Sequence, residues 1–160
     1  MKKQEISTHS DGNSKLFPVV AIGASAGGLE AVSEFVKNLP HDTGMAFVYI
    51  PHLDPTHESM LANILARQTS MPVQKAEHLL PVEPDHLYIL PPDKSMTIID
   101  GLLTLESRQP RPAINLPVDR FFVSLAENHK GGAIGIILSG NAHDGTLGLR
   151  AIKMAGGLTF

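Results

Sequence analysis

Four short apolar runs constrain what this 160-residue chain can fold into more than any other feature. Residues 19–22 (VVAI), 45–50 (MAFVYI), 86–90 (HLYIL) and 133–138 (AIGIIL) are continuous rather than alternating. Each ends in a loop rich in glycine, proline or polar residues. Runs of this kind are the mark of parallel strands covered on both faces. Helical patterns separate them. Leu29, Val32, Phe35, Val36 and Leu39 recur at helical spacing until Pro40. Asp54-Pro55 reads as the cap and first turn of a second helix, whose buried side is Met60, Leu61, Ile64 and Leu65.

Residues 71–76 read as a further short strand, and 77–85, broken by Pro81 and Pro84, as a loop. Asp100-Gly101, between two apolar-rich runs in SMTIIDGLLTLES, is the chain's strongest hairpin signal. Residues 107–117 hold three prolines and read as an ordered loop. Phe121, Phe122, Leu125 and Ala126 mark a helix that begins near Leu116 or Pro117. A last helix, 146–155, is closed by Gly156-Gly157, and 158–160 open another strand. Met45, Met60, Met96 and Met154 fall within apolar patterns and read as core filling.

This order predicts an α/β three-layer sandwich with right-handed crossovers, a mostly parallel, doubly wound sheet and an antiparallel hairpin. Residues 1–16 are polar and aperiodic and read as a disordered leader or linker; 17–160 form the folded domain. A single domain rarely stops three residues into a core strand, so the sequence predicts a piece of a longer polypeptide.

Net charge is −3 with no lysine or arginine cluster, so nothing draws the chain to nucleic acid or an anionic membrane surface. The absence of cysteine excludes disulfides, a thiolate nucleophile and cysteine-ligated metals, and fits a cytoplasmic location. No apolar run approaches the ~20 residues of a bilayer span, and the start lacks the apolar core of a signal peptide.

In open α/β sheets ligands bind beyond the carboxyl ends of the strands. Three loops at such ends collect the chemistry: Ser25 in the first, His52, Asp54 and His57 in the second, Asn141, His143 and Asp144 in the third. A serine hydroxyl needs a base, and the imidazole needs a carboxylate to fix its tautomer. GASAG matches the nucleophile-elbow pattern G-x-S-x-G, with strand, turn and helix in the required order. The amides that open the following helix, from Ala26 on, are candidate oxyanion donors. The α/β-hydrolase order of serine, acid, histidine does not fit.

Other readings stay open on the residues alone. GASAGG at 23–28 can be an anion-binding turn, although neither dinucleotide nor P-loop spacing is present, or a structural turn capped by Ser25. His52 can bond nearby backbone, and Asp144 can be a turn residue or the N-cap of the last helix. His57 and His143 read as loop polar residues and Asp54 as a cap. A zinc set of His52, Asp54, His57 and His143 lacks a recognised ligand spacing.

Taken together, GASAGG (23–28), the strand-end His52, EPDHLYILPPDKSM (83–96), LPVD (116–119), LSGNAHDGTLG (138–148) and AIKMAGG (151–157) resemble the catalytic domain of the CheB receptor-glutamate methylesterase family. The resemblance runs from about residue 18 to 160. GASAGGLEA and DGTLGLRAIK are most similar to versions joined to a receptor methyltransferase, and so imply a fused methyltransferase partner. It implies a Ser25–His52–Asp144 triad, a cleft with Ala26, Gly27 and Asn141, and hydrolysis of glutamate γ-methyl esters on methylated chemoreceptor cytoplasmic domains without cofactor or metal. Some glutamine amides would be substrates too. Pro51 replaces the family's glutamine, and Asn141 and Ala142 depart from its methionine and glycine. The family's C-terminal strand–loop–helix, beginning alanine-glutamine-aspartate, and a preceding receiver domain are absent from the sequence. A weakened domain that binds or scaffolds in a signalling protein is the alternative expectation.

Overall fold

The computed structural model describes residues 16–52, 60–110, 114–139 and 143–160. Its main sheet contains β1 (Val19–Ala24), β2 (Ala46–Pro51), β3 (Val73–Lys75), β5 (Leu87–Ile89), β8 (Ala133–Ser139) and β9 (Leu158–Thr159). Their order is β3-β5-β2-β1-β8-β9, and every neighbouring pair is parallel. The smaller sheet, β4-β7-β6, is antiparallel and comprises β4 (Leu80–Pro81), β6 (Lys94–Ile99) and β7 (Leu102–Ser107). Asp100 and Gly101 both take positive φ, 50° and 76°, as a two-residue hairpin turn requires.

The continuity of the apolar runs has a direct cause. Within β1, Val19 and Ala21 enter one core, while Val20, Ile22 and Ala24 enter the other. Helices α1 (Leu29–Lys37) and α2 (Leu61–Ala66) cover the second core. Helices α3 (Pro117–Asn128) and α4 (Thr146–Met154), with β6 and β7, cover the first. The three layers and the hairpin agree with expectation. β1 is the centre of the winding: the chain runs from it through β2 toward one edge and returns on its other side as β8.

Several local expectations are corrected. Residues 77–85 are not all loop, because Leu80–Pro81 pairs with β7 at a sheet edge, where a proline without an N–H is tolerated. In α2 only Leu61 and Leu65 are buried; Met60 and Ile64 are exposed, since six residues give little more than one inward-facing stripe. Met96 is buried, but Met154, like Met60, faces outward. The Asp54-Pro55 cap, residues 111–113 of the proline-rich loop and 1–15 of the leader lie outside the described residues; Leu16 is exposed.

Candidate functional site at the carboxyl rim

Parallel pairing brings the first two candidate residues to one rim. Ala24 and Pro51, the last residues of β1 and β2, are partners in the ladder, and His52 N donates to Ala24 O at 3.0 Å. Ser25 and His52 therefore leave adjacent strands at the same level. Ser25 is half-buried with an extended backbone (φ −73°, ψ 177°) and opens a 3-10 turn, Ala26–Gly28, that leads into α1. Gly28 N closes the turn on Ser25 O at 2.8 Å. Ala26 and Gly27 open this turn, and the first N–H groups of a helix start have no acceptor within the helix. Gly27 is exposed and open around its Cα.

β8 reaches the same rim from the other side of β1. The ladder shifts register between Gly23 and Ala24, so that Gly23 faces Ile137 but Ala24 faces Ser139. Such bulges re-aim the chain and recur beside active sites. Asn141 and Ala142 lie outside the described residues, as do Asp54 and His57. His143 is exposed. Among the described residues no group of three or more histidine, aspartate or glutamate side chains could hold a metal ion.

Asp144 is buried, and its partners are on α3 rather than α4. Its Oδ2 accepts from Val118 N at 3.1 Å and its Oδ1 from Asp119 N at 2.8 Å. The N-cap of α4 is Gly145, so Asp144 does not cap the helix that follows it. Instead it supplies the acceptor missing at the start of α3, where Leu116 occupies the cap and Pro117 the first turn. A negative group is also favoured there by the helix dipole.

A Cβ at Gly23 would come within 2.7 Å of side-chain carbons of both Val118 and Ile137, so glycine here leaves room for the Val118 side chain of α3 against β1. Burial pushes the Asp144 carboxyl above its ordinary value. The two amides and His52 pull it back, while Asp119 pushes further upward. Arg108, anchored by Nε donating to Lys94 O at 3.1 Å, also feels Asp144. Among the described residues no hydrogen bond joins the side chains of Ser25, His52 and Asp144.

Sequence reasoning missed Asp119. It is buried, and its Oδ1 accepts from Gly148 N at 2.7 Å. The sequence carries no local signal for this contact, which joins residues 29 apart; a helix opening Leu-Pro-Val-Asp says only that its first amides need some acceptor from outside. An open groove of about 430 Å³ between Thr97, Leu116, Val123 and Leu147 borders Asp119 but includes none of Ser25, His52 or Asp144.

Residues 20–160 match the family model for CheB methylesterase. The chain belongs to the CheB methylesterase family. A protein-glutamate methylesterase/protein-glutamine glutaminase of Burkholderia pseudomallei is 36% identical over 153 residues, covering 89% of this chain and 42% of its own length. One from Pseudomonas aeruginosa is 31% identical over 143 residues, covering 89% and 43%. The chain thus spans about two-fifths of the length of these relatives. The crystal structure of the Thermotoga maritima CheB methylesterase catalytic domain superposes with a TM-score of 0.79 at 28% identity, over 89% of this chain and 78% of that one. The parallel sheet with its antiparallel hairpin is therefore the fold of that catalytic domain. Among the described residues no helix is long and apolar enough to cross a membrane.

Proposed function

We propose that this CheB-family chain carries the catalytic centre of a serine esterase that hydrolyses glutamate γ-methyl esters on methyl-accepting chemoreceptors. The observation that supports this most is the Ala24–Pro51 pairing, which sets Ser25 beside His52 at the carboxyl end of adjacent strands. Ser25 Oγ attacks the ester carbonyl while His52 takes its proton. The amides of Ala26 and Gly27 hold the oxyanion, with Asn141 contributing to the cleft. Methanol leaves with the proton from His52. Water, deprotonated by His52, then releases the glutamate carboxylate from Ser25. Asp144 holds the imidazole tautomer and stabilises its charged form; each carboxylate oxygen accepts one amide and keeps capacity for another donor. Hydrogen bonds of such a triad draw together when substrate binds. A γ-glutamyl amide reacts by the same acyl-enzyme with ammonia as leaving group, as the names of the relatives suggest. The chemistry requires no metal or organic cofactor. A receptor methyltransferase joined to this chain is part of the proposal, on the strength of GASAGGLEA and DGTLGLRAIK.

A second reading draws on Asp144 itself. Both its oxygens already serve α3, as those of a purely structural aspartate would, and the domain would then bind or scaffold within a chemosensory protein. Methanol release from methylated chemoreceptor membranes separates the two. The esterase reading expects release by the wild-type chain and none by Ser25→Ala. A folded wild-type chain that releases no methanol overturns it and leaves the scaffold.

A further inference from the structure

Asp119 sits at the third position of α3, yet its side chain does not serve its own helix. Its carboxylate crosses to α4 and accepts from Gly148 N at 2.7 Å, while its own backbone N–H donates to Asp144 Oδ1 at 2.8 Å. One residue therefore holds both ends of the segment 144–148. Val118 N takes the other oxygen of Asp144 and fixes the plane of the carboxylate. Packing leaves this arrangement little slack: a Cβ on Gly148 would collide with Cβ of Phe122 and lie 3.3 Å from Asp119 Cα, so the two helices meet backbone against backbone. All of these groups are buried.

We propose that Asp119 is a positioning residue for the reaction: by clamping Gly148 with its side chain and Asp144 with its amide, it fixes where the Asp144 carboxylate stands relative to His52. The proposal rests on the esterase reading given above. Acceptor capacity is what the clamp needs; negative charge is not. Asp119→Asn keeps an oxygen for Gly148 N–H, and Asp119→Ala removes it. A carboxylate freed to shift by a fraction of an ångström leaves substrate binding alone and slows the chemical step, with losses of up to about a hundredfold for an error of 1 Å.

The test is steady-state methanol release by the full chain, for wild type, Ser25→Ala, Asp119→Ala and Asp119→Asn, with the Gly148 amide proton followed by NMR. The expected result is a loss of kcat of about tenfold to a hundredfold in Asp119→Ala with KM unchanged, and recovery of most of kcat in Asp119→Asn. The Gly148 amide resonance, shifted downfield by its carboxylate partner, should move in the alanine variant and stay near its place in the asparagine variant. Full kcat in a folded Asp119→Ala overturns the positioning role while the esterase reading stands. Equal impairment of the alanine and asparagine variants also overturns it, since charge rather than the clamp would then matter. Wild-type chain without activity overturns the esterase reading and the positioning role together. Should Asp119→Ala fail to fold, Asp119→Glu carries the same test: its longer arm displaces the acceptor, so kcat should fall at constant KM, and unchanged kcat overturns the proposal.

Discussion

At the scale of single residues, Asp144 holds two opposed demands. Burial raises its pKa and so disfavours the carboxylate, whereas the proposed role of orienting an imidazolium needs that carboxylate. The sign for stability follows from proton binding. Between the ordinary carboxylate value of 3.8 and the raised value in the fold, the native state holds more proton than the unfolded chain. The contribution of Asp144 to stability is therefore fully present below 3.8, falls as pH rises through its folded pKa, and is constant above it. Urea unfolding of wild type and Asp144→Ala across that window checks this: the advantage of wild type over the variant should shrink as pH rises. An advantage that grows with pH there contradicts the account. If Asp144 is the triad acid of the proposed esterase, activity should move the opposite way over the same window, rising as Asp144 ionises. Such opposition of stability and activity is common at functional sites.

At the scale of elements, the hairpin and α3 are joined by one buried hydroxyl. Ser124 Oγ donates to Phe121 O at 2.8 Å and accepts from Ile98 N at 3.0 Å. β6 is an edge strand of the small sheet, and Ile98 N points away from β7 toward α3. Ser124→Ala leaves that buried N–H without an acceptor and should cost about 1–3 kcal/mol, read as a lowered urea midpoint at unchanged slope. A midpoint within error of wild type would show that Ile98 N finds another partner. The sequence announced the elements themselves but not this link. Strands buried on both faces are written as unbroken apolar runs, and Asp100-Gly101 marks its turn by the need for two positive φ angles. β4 was illegible because a two-residue edge strand ending in proline carries no periodicity. Met60 and Ile64 misled because helical spacing gives a stripe without saying how wide the buried part is.

At the scale of the whole molecule, the candidate site lies where the winding of the sheet reverses. β1 has β2 on one side and β8 on the other, α1 and α2 lie on one face, and α3 and α4 lie on the other. The chain diverges to both sides at this point, which opens a crevice beyond the strand ends. Ser25, His52 and Asp144 were legible as candidates because each closely follows an apolar run that ends at this rim. The amides of Val118 and Asp119 were not, because their approach to Asp144 spans 25 or more residues and depends on how α3 packs. A reaction centre on such a rim needs strands that do not open, and the sheet order says which they are. β1 and β2 have partners on both sides and lie at the centre, whereas β3 and β9 have one each and lie at the edges. Local opening follows unpaired edges and thin cover. Native-state hydrogen exchange should therefore find the amides of Val20, Ile22 and Val48 among the slowest, exchanging only with global unfolding. Those of Val73 to Lys75 and of Leu158 should exchange by local opening at much lower free energy. Equal protection of β1 and β3 would mean that the sheet opens as one unit, and its edge strands would then be no weaker than the central strands that carry the rim.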